Sequence, residues 1–91
     1  MEFEWDPRKD AANRRKHGMG FREATTVFGD PFATTFPDID HSISEQRFPT
    51  RGASAGGRLL VVAHTETEES IRIISARAVT RSERKFYEEN R

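Results

Sequence analysis

Phe3 and Trp5 alternate with Glu2, Glu4 and Asp6, the two-residue period of a strand with one buried face. Asp6-Pro7 then predicts a helix start: the Asp side chain accepts from free backbone N–H groups at the N-cap, and Pro at the first helical position loses no needed donor. The helix is expected from Pro7 to about Lys16, with Ala11 and Ala12 the only apolar residues among Arg8, Lys9, Arg14, Arg15 and Lys16. His17-Gly18 closes it, with cations in the last turn and Gly at the C-cap. Phe21, Ala24, Thr25 and Phe28 recur at helical spacing and predict a second helix from about Gly20 to Phe28, stopped by Gly29-Asp30-Pro31. Phe32, Thr34 and Phe36 alternate as a strand ending at Pro37, and Asp38 to Ser44 reads as an acidic loop. Alternation resumes from Glu45 to Gly52, turns through Ala53 to Gly57, and returns along the apolar run Leu59 to Ala63 as a hairpin. A polar stretch from Thr65 to Ser70 leads into Ile71 to Ala76, a second hairpin. Thr80 with Glu83 is a capping box opening a last helix that carries Arg81, Arg84, Lys85, Phe86 and Tyr87. Strand, two helices, three or four antiparallel strands and a helix make an α+β fold, with helices packed on one face of a mostly antiparallel sheet and the other face left for something else.

Composition narrows what that face can meet. Ninety-one residues are one domain, spanning 1–91. With no cysteine, neither a disulfide framework nor a thiolate metal site supports the core. His17, His41 and His64 show no close ligand spacing, so no metal or other cofactor is expected. The Gly-rich run Ala53 to Gly57 precedes a strand rather than a helix and lacks the Lys of a phosphate loop. The chain shows neither a signal peptide nor an apolar span, which makes the cytoplasm the expected compartment. Lys plus Arg is 15 and Asp plus Glu is 15, a neutrality that on bulk charge argues against a strongly basic nucleic-acid binder. Its distribution argues otherwise: residues 8–16 and 72–85 each hold five cations and one acid, and twelve of the fifteen cations are Arg, whose planar fork grips phosphate bidentately. Solvated helix faces with surface ion pairs are the plainer reading; a phosphate-binding surface is the alternative.

The strands carry the more specific pattern. Alternation sets Glu45, Arg47, Pro49 and Arg51 on one face and Phe48 on the other, and Leu60, Val62 and His64 on one face of the next strand. On the last strand it groups Arg72, Ile74 and Ala76 against Ile71, Ile73, Ser75 and Arg77. If the turn pairs Thr65 with Ser70 or Ile71, His64 meets an Arg of the last strand, and a one-residue slip decides which. His, Arg, Lys, Glu and Tyr together cover metal-free RNA cleavage, in which a base takes the 2′-OH proton, cations stabilise the phosphorane, and an acid protonates the departing 5′-oxygen. His64 is the imidazole on these strands, although a lone His at a strand end is also a common edge residue.

Glu4-Trp5-Asp6, Lys9, Asn13, Lys16-His17-Gly18, Phe21-Arg-Glu-Ala24, Phe28-Gly-Asp-Pro31, Asp38 to His41, Glu45 with Arg47, Val61-Val-Ala-His-Thr65 and Arg72-Ile-Ile-Ser-Ala-Arg77 together resemble the BrnT toxin family over nearly the whole chain. The departures are small: Met19 stands where Val or Ile is usual, and Ala78-Val79 where a basic residue then Ala is common. The resemblance implies a RelE-like ribonuclease fold and the toxin of a bacterial type II toxin-antitoxin pair, cleaving RNA without a metal and blocking translation and growth. It implies a ribbon-helix-helix antitoxin (BrnA-like) as partner, reaching promoter DNA only through that antitoxin. The expected site has Arg47, Arg72 and Arg77 on the scissile phosphate, His64 as acid or base, and Lys16, His17 and Arg84 on the RNA, with Glu45 orienting Arg47 or serving as base. The reading from a different class is a non-enzymatic module that binds protein or nucleic acid and acts by sequestration or as a co-repressor.

Overall fold

Asp6 caps the first helix as its chemistry demands: its Oδ1 accepts from Arg8 N at 2.8 Å, Pro7 opens the helix, and Gly18 closes it with φ 72° while its N–H returns to Arg14 O. The computed structural model describes residues 2–36 and 47–90. Its elements are β1 (Glu2–Glu4), α1 (Pro7–His17), α2 (Phe21–Thr25) running into a 3₁₀ turn (Thr26–Gly29), β2 (Thr34–Thr35), β3 (Phe48–Ala53), β4 (Leu59–Glu66), β5 (Ser70–Ala78) and α3 (Arg81–Glu89). The acidic loop from Asp38 to Ser44, with Glu45, lies outside the described residues.

The sheet has the order β1-β5-β4-β3-β2, and it is mixed rather than antiparallel throughout, because β1 runs parallel to β5 with Glu2, Phe3 and Glu4 beside Ser70, Ile71 and Arg72. This direction lets the chain continue along the same edge. Where β1 stops, α1 takes over: Asn13, buried, donates through Nδ2 to Ala76 O and Met19 O, both at 2.9 Å, and its Oδ1 accepts from Ala76 N at 3.1 Å. One amide thereby satisfies both backbone groups of a strand residue that has no neighbouring strand on that side.

Phe21, Ala24 and Val27 of the second helical segment are fully buried and meet Leu60, Val62, Ile71, Ile73 and Ala76 of the sheet, with Met19 closing the end. Each such side chain contributes about 1.5–3 kcal/mol for the larger apolar residues. Val27 is fully buried while Phe28 packs against the core only partly buried, because the segment tightens after Thr25 into the four-residue 3₁₀ turn Thr26–Gly29. The hydroxyls of Thr25 and Thr26 accompany that change, donating back to Arg22 O and Glu23 O at 2.7 and 2.6 Å. Gly52 lies where this turn crosses β3: a Cβ there would stand 2.9 Å from Val27 Cγ1 and 3.0 Å from Ala33 Cβ. Glu23 then ties α2 to the β3–β4 turn by pairing with Arg58 and accepting from Ser54 Oγ.

The helices do not share one face. α3 begins with the capping box, Thr80 Oγ1 accepting from Glu83 N and Glu83 Oε1 from Thr80 N. It then engages the face opposite the core, through Glu83 on Arg77 and Phe86 beside Arg51. Tyr87 is buried and donates to Asp30 Oδ2 at 2.6 Å, an oxygen that also accepts from Ala53 N, so α3 is pinned at both ends.

Candidate nucleic-acid interface

A bulge in β5 decides which side chains share a surface. Register runs Val61 to Arg77, Val62 to Ala76 and Ala63 to Ser75, then shifts so that His64 faces Ile73 and Thr65 faces Arg72. Ile74 is the residue without a partner, and from it onward the alternation of β5 is inverted. Ile71, Ile73 and Ala76 therefore enter the core together, while Arg72, Ser75 and Arg77 emerge together on the other face. This corrects the strict alternation, which separates Arg72 from Arg77 and groups Ala76 with Arg72. The turn also pairs Thr65 with Arg72 and Glu66 with Ile71, one step from the expected pairing.

The cross-strand rows now define the outer face. One row reads Thr34, Arg51, Val61, Arg77; the next Pro49, Ala63, Ser75; the next Thr65, Arg72, Glu4. Arg47 immediately precedes β3, half-buried, next in line after Arg51 and Pro49. Arginines thus border a floor of small side chains. Arg77 is held in a bidentate pair with Glu83, at 2.8 and 3.0 Å. The pair, with the backbone bond from Thr80, holds the Glu83 carboxyl down at about 2, and Arg77 is correspondingly raised. Arg72 is held loosely, 3.6 Å from Glu4 with both side chains about half exposed, an ion pair of little stability that another anion can replace. Arg51 lies over two rings, 4.3 Å from Phe36 and 5.0 Å from Phe86.

Beside this face is an open groove of about 220 Å³ between α1 and the β5 bulge, lined by Lys9, Ala12, Asn13, Lys16, His17, Ile74 and Ser75. The bulge makes the groove continuous with the arginine face, since Ser75 belongs to both. Lys16 and His17, expected as RNA contacts, are exposed there in the last turn of α1. Arg84 is exposed on α3.

His64 stands apart from these residues. It is fully buried on the core face, its ring 4.9 Å from Phe28 and 6.1 Å from Phe48, so no arginine of β5 shares its surface. Its Nε2 bonds Thr50 Oγ1 at 2.7 Å, and Thr50 in turn bonds Thr35 Oγ1 at 2.6 Å. Among the described residues Nδ1 has no hydrogen-bond partner, and Glu66 lies 3.8 Å from it. Burial pushes the imidazole below its usual range, opposed weakly by Glu66, so near neutrality it is uncharged. Glu45 lies outside the described residues. Sequence reasoning overlooked Lys9, Ser75 and the Arg51–Phe86 contact; alternation grouped Arg51 with Arg47 on one face but carried no signal of the ring that meets it.

Fold and surface together define a small α+β domain with a mixed sheet, one face packed on two helices and the other lined with arginine. The chain belongs to the BrnT family: the family model described as the ribonuclease toxin, BrnT, of type II toxin-antitoxin system matches residues 5–83. The crystal structure of the Brucella abortus ribonuclease toxin, BrnT, at 1.1 Å resolution superposes with a TM-score of 0.70 at 23% identity, covering 89% of this chain and 99% of that one. At that identity the likeness speaks to the fold. No curated protein matches the sequence. Among the described residues no helix is long and apolar enough to cross a membrane.

Proposed function

We propose that this chain is a metal-independent toxin endoribonuclease of RelE-like architecture that cleaves cytoplasmic RNA, blocks translation and arrests growth. The observation that supports it best is the arginine face bordering the small floor Pro49, Ala63 and Ser75 and running into the Lys9, Lys16 and His17 groove. A floor of small side chains leaves room for a phosphodiester, and fixed cations around it can stabilise the added negative charge of a phosphorane without a metal. In this reading the 2′-oxygen loses its proton and attacks phosphorus, the P–O5′ bond breaks, and the 5′-oxygen takes up a proton. Arg47 and Arg72 contact the phosphate, with Arg72 released from its exposed pair with Glu4. Arg77 is a positioning residue, held by Glu83. Lys16 and Arg84 follow the backbone on either side.

His17, exposed in the groove, takes the proton-transfer role that its residue type allows. His64 supports the sheet beneath, because a fully buried imidazole on the far face cannot reach a substrate without opening the core. Neutralisation falls to a ribbon-helix-helix antitoxin that covers the arginine face and carries the pair to promoter DNA.

The test uses purified protein with free RNA in EDTA and, separately, with RNA in a magnesium-containing translating extract, beside growth assays of Arg72→Ala, His17→Ala and Lys16→Ala. Cleavage in EDTA, lost with growth arrest in Arg72→Ala while the melting curve holds, is the expected result. Growth arrest with all RNA intact in both settings overturns the enzyme and leaves sequestration.

A further inference from the structure

We propose that Phe86 and Phe36, with Arg51 between them, form a nucleobase-stacking subsite beside the phosphate-binding face. The inference rests on the reading of this face as RNA-binding and adds where a base sits. Phe86 is 43% exposed although it lies within α3 and immediately precedes the buried Tyr87. It cannot turn inward, because Glu83 on Arg77 and Tyr87 on Asp30 fix the rotation of α3 to either side of it. Its ring centroid is 6.0 Å from that of Phe36 at 63°, and the Arg51 guanidinium lies over both. A large apolar ring is thus held rigidly at the surface, with a cation against it.

Three features favour a base over other occupants. Arg51 shares its cross-strand row with Arg77, one row from the small-residue floor. Two residues along a strand advance about 6.7 Å, so a base stacked on Phe86 leaves its own or the adjoining phosphate within reach of the floor. Single-stranded RNA is held in this way elsewhere, by aromatic faces for the bases and guanidinium groups for both stack and backbone. The patch is also small: two partly exposed rings offer far less than the roughly 800 Å² per partner of a stable protein interface.

The experiment is titration of short single-stranded RNAs carrying 2-aminopurine at successive positions, with the wild-type chain and the variants Phe86→Leu, Phe86→Trp and Phe36→Leu. Each variant is first checked by thermal melting. Expected is quenched emission at one position with wild type, lost in Phe86→Leu together with roughly 5- to 150-fold weaker binding, the range that one stacked base supplies. Phe86→Trp restores both, and the slope of log K against log salt stays at its wild-type value. Arg72→Ala instead reduces that slope by about 1. Phe36→Leu, which keeps Phe86 intact, weakens quenching without abolishing it. If Phe86→Leu and Phe36→Leu bind and cut RNA as wild type does, with emission unquenched throughout, the subsite is overturned while the RNA reading stands, and Phe86 is left to a protein partner. If wild type neither binds nor cuts RNA, free or in a translating extract, the RNA reading fails and takes the subsite with it.

Discussion

Asn13→Ala removes three hydrogen bonds at once and strands the N–H and C=O of Ala76 and the C=O of Met19. An unsatisfied buried backbone group costs about 1–3 kcal/mol. Asn13 also lines the open groove, so water reaches part of the vacated space and the lower end applies, giving a total of about 3 kcal/mol. Against the roughly 5–14 kcal/mol expected for a domain of this length, that is a large share. It corresponds to a fall of about 12–24 °C in Tm for a domain of this size. Equilibrium urea unfolding followed by far-UV circular dichroism measures it as a lower midpoint at unchanged slope. Asn13→Asp is the sharper variant: it keeps an oxygen for the Ala76 N–H but points a carboxylate at two carbonyls. Burial and those carbonyls raise its folded pKa, so the native state binds more protons than the unfolded one, and this variant gains stability as pH falls. A loss below about 1 kcal/mol in Asn13→Ala would refute the argument, because it would mean that water alone serves these groups.

Two further outcomes concern pH. Glu83 is held at about 2 in the folded state against 4.5 ordinarily, so its contribution is full above about 4.5 and is lost as pH falls toward 2. Discounted for the solvent that reaches Arg77, that contribution is about 1–2 kcal/mol, and Glu83→Gln should remove it at pH 7 and make the fall of the urea midpoint between pH 5 and 2 shallower, the remaining fall belonging to Glu23 and Asp6, whose carboxyls are also held down. His64 has the opposite history but the same sign: its folded pKa is depressed by burial, so the unfolded chain binds the extra proton and stability declines as pH drops below 6.5. His64→Gln should abolish that decline in the midpoint-against-pH curve; an unchanged decline would assign it to another group.

Local chemistry carries far in this chain. Asp6-Pro7, Gly18 and the Thr80/Glu83 box mark the ends of α1 and α3 because a cap needs only residues within four positions of it. The apolar runs of β4 and β5 are equally legible, since strand periodicity is written residue by residue. The candidate cations were legible as residue types, but not as a surface. That depended on a single unpaired residue, Ile74, whose insertion turns Arg72 and Arg77 to the same side and leaves His64 in the core behind them. The parallel placement of β1 and the amide of Asn13 on Ala76, 63 positions away, were also invisible, as was the aromatic clasp of Arg51 by rings from β3's neighbour and α3. Neighbours along the chain were enough to mark both ends of α1, the start of α3 and the apolar runs of β4 and β5, and to show the residue types each carries. Only the tertiary structure decided which side chains share a face, because register and bulges are settled by hydrogen bonds between strands and by which face can be buried.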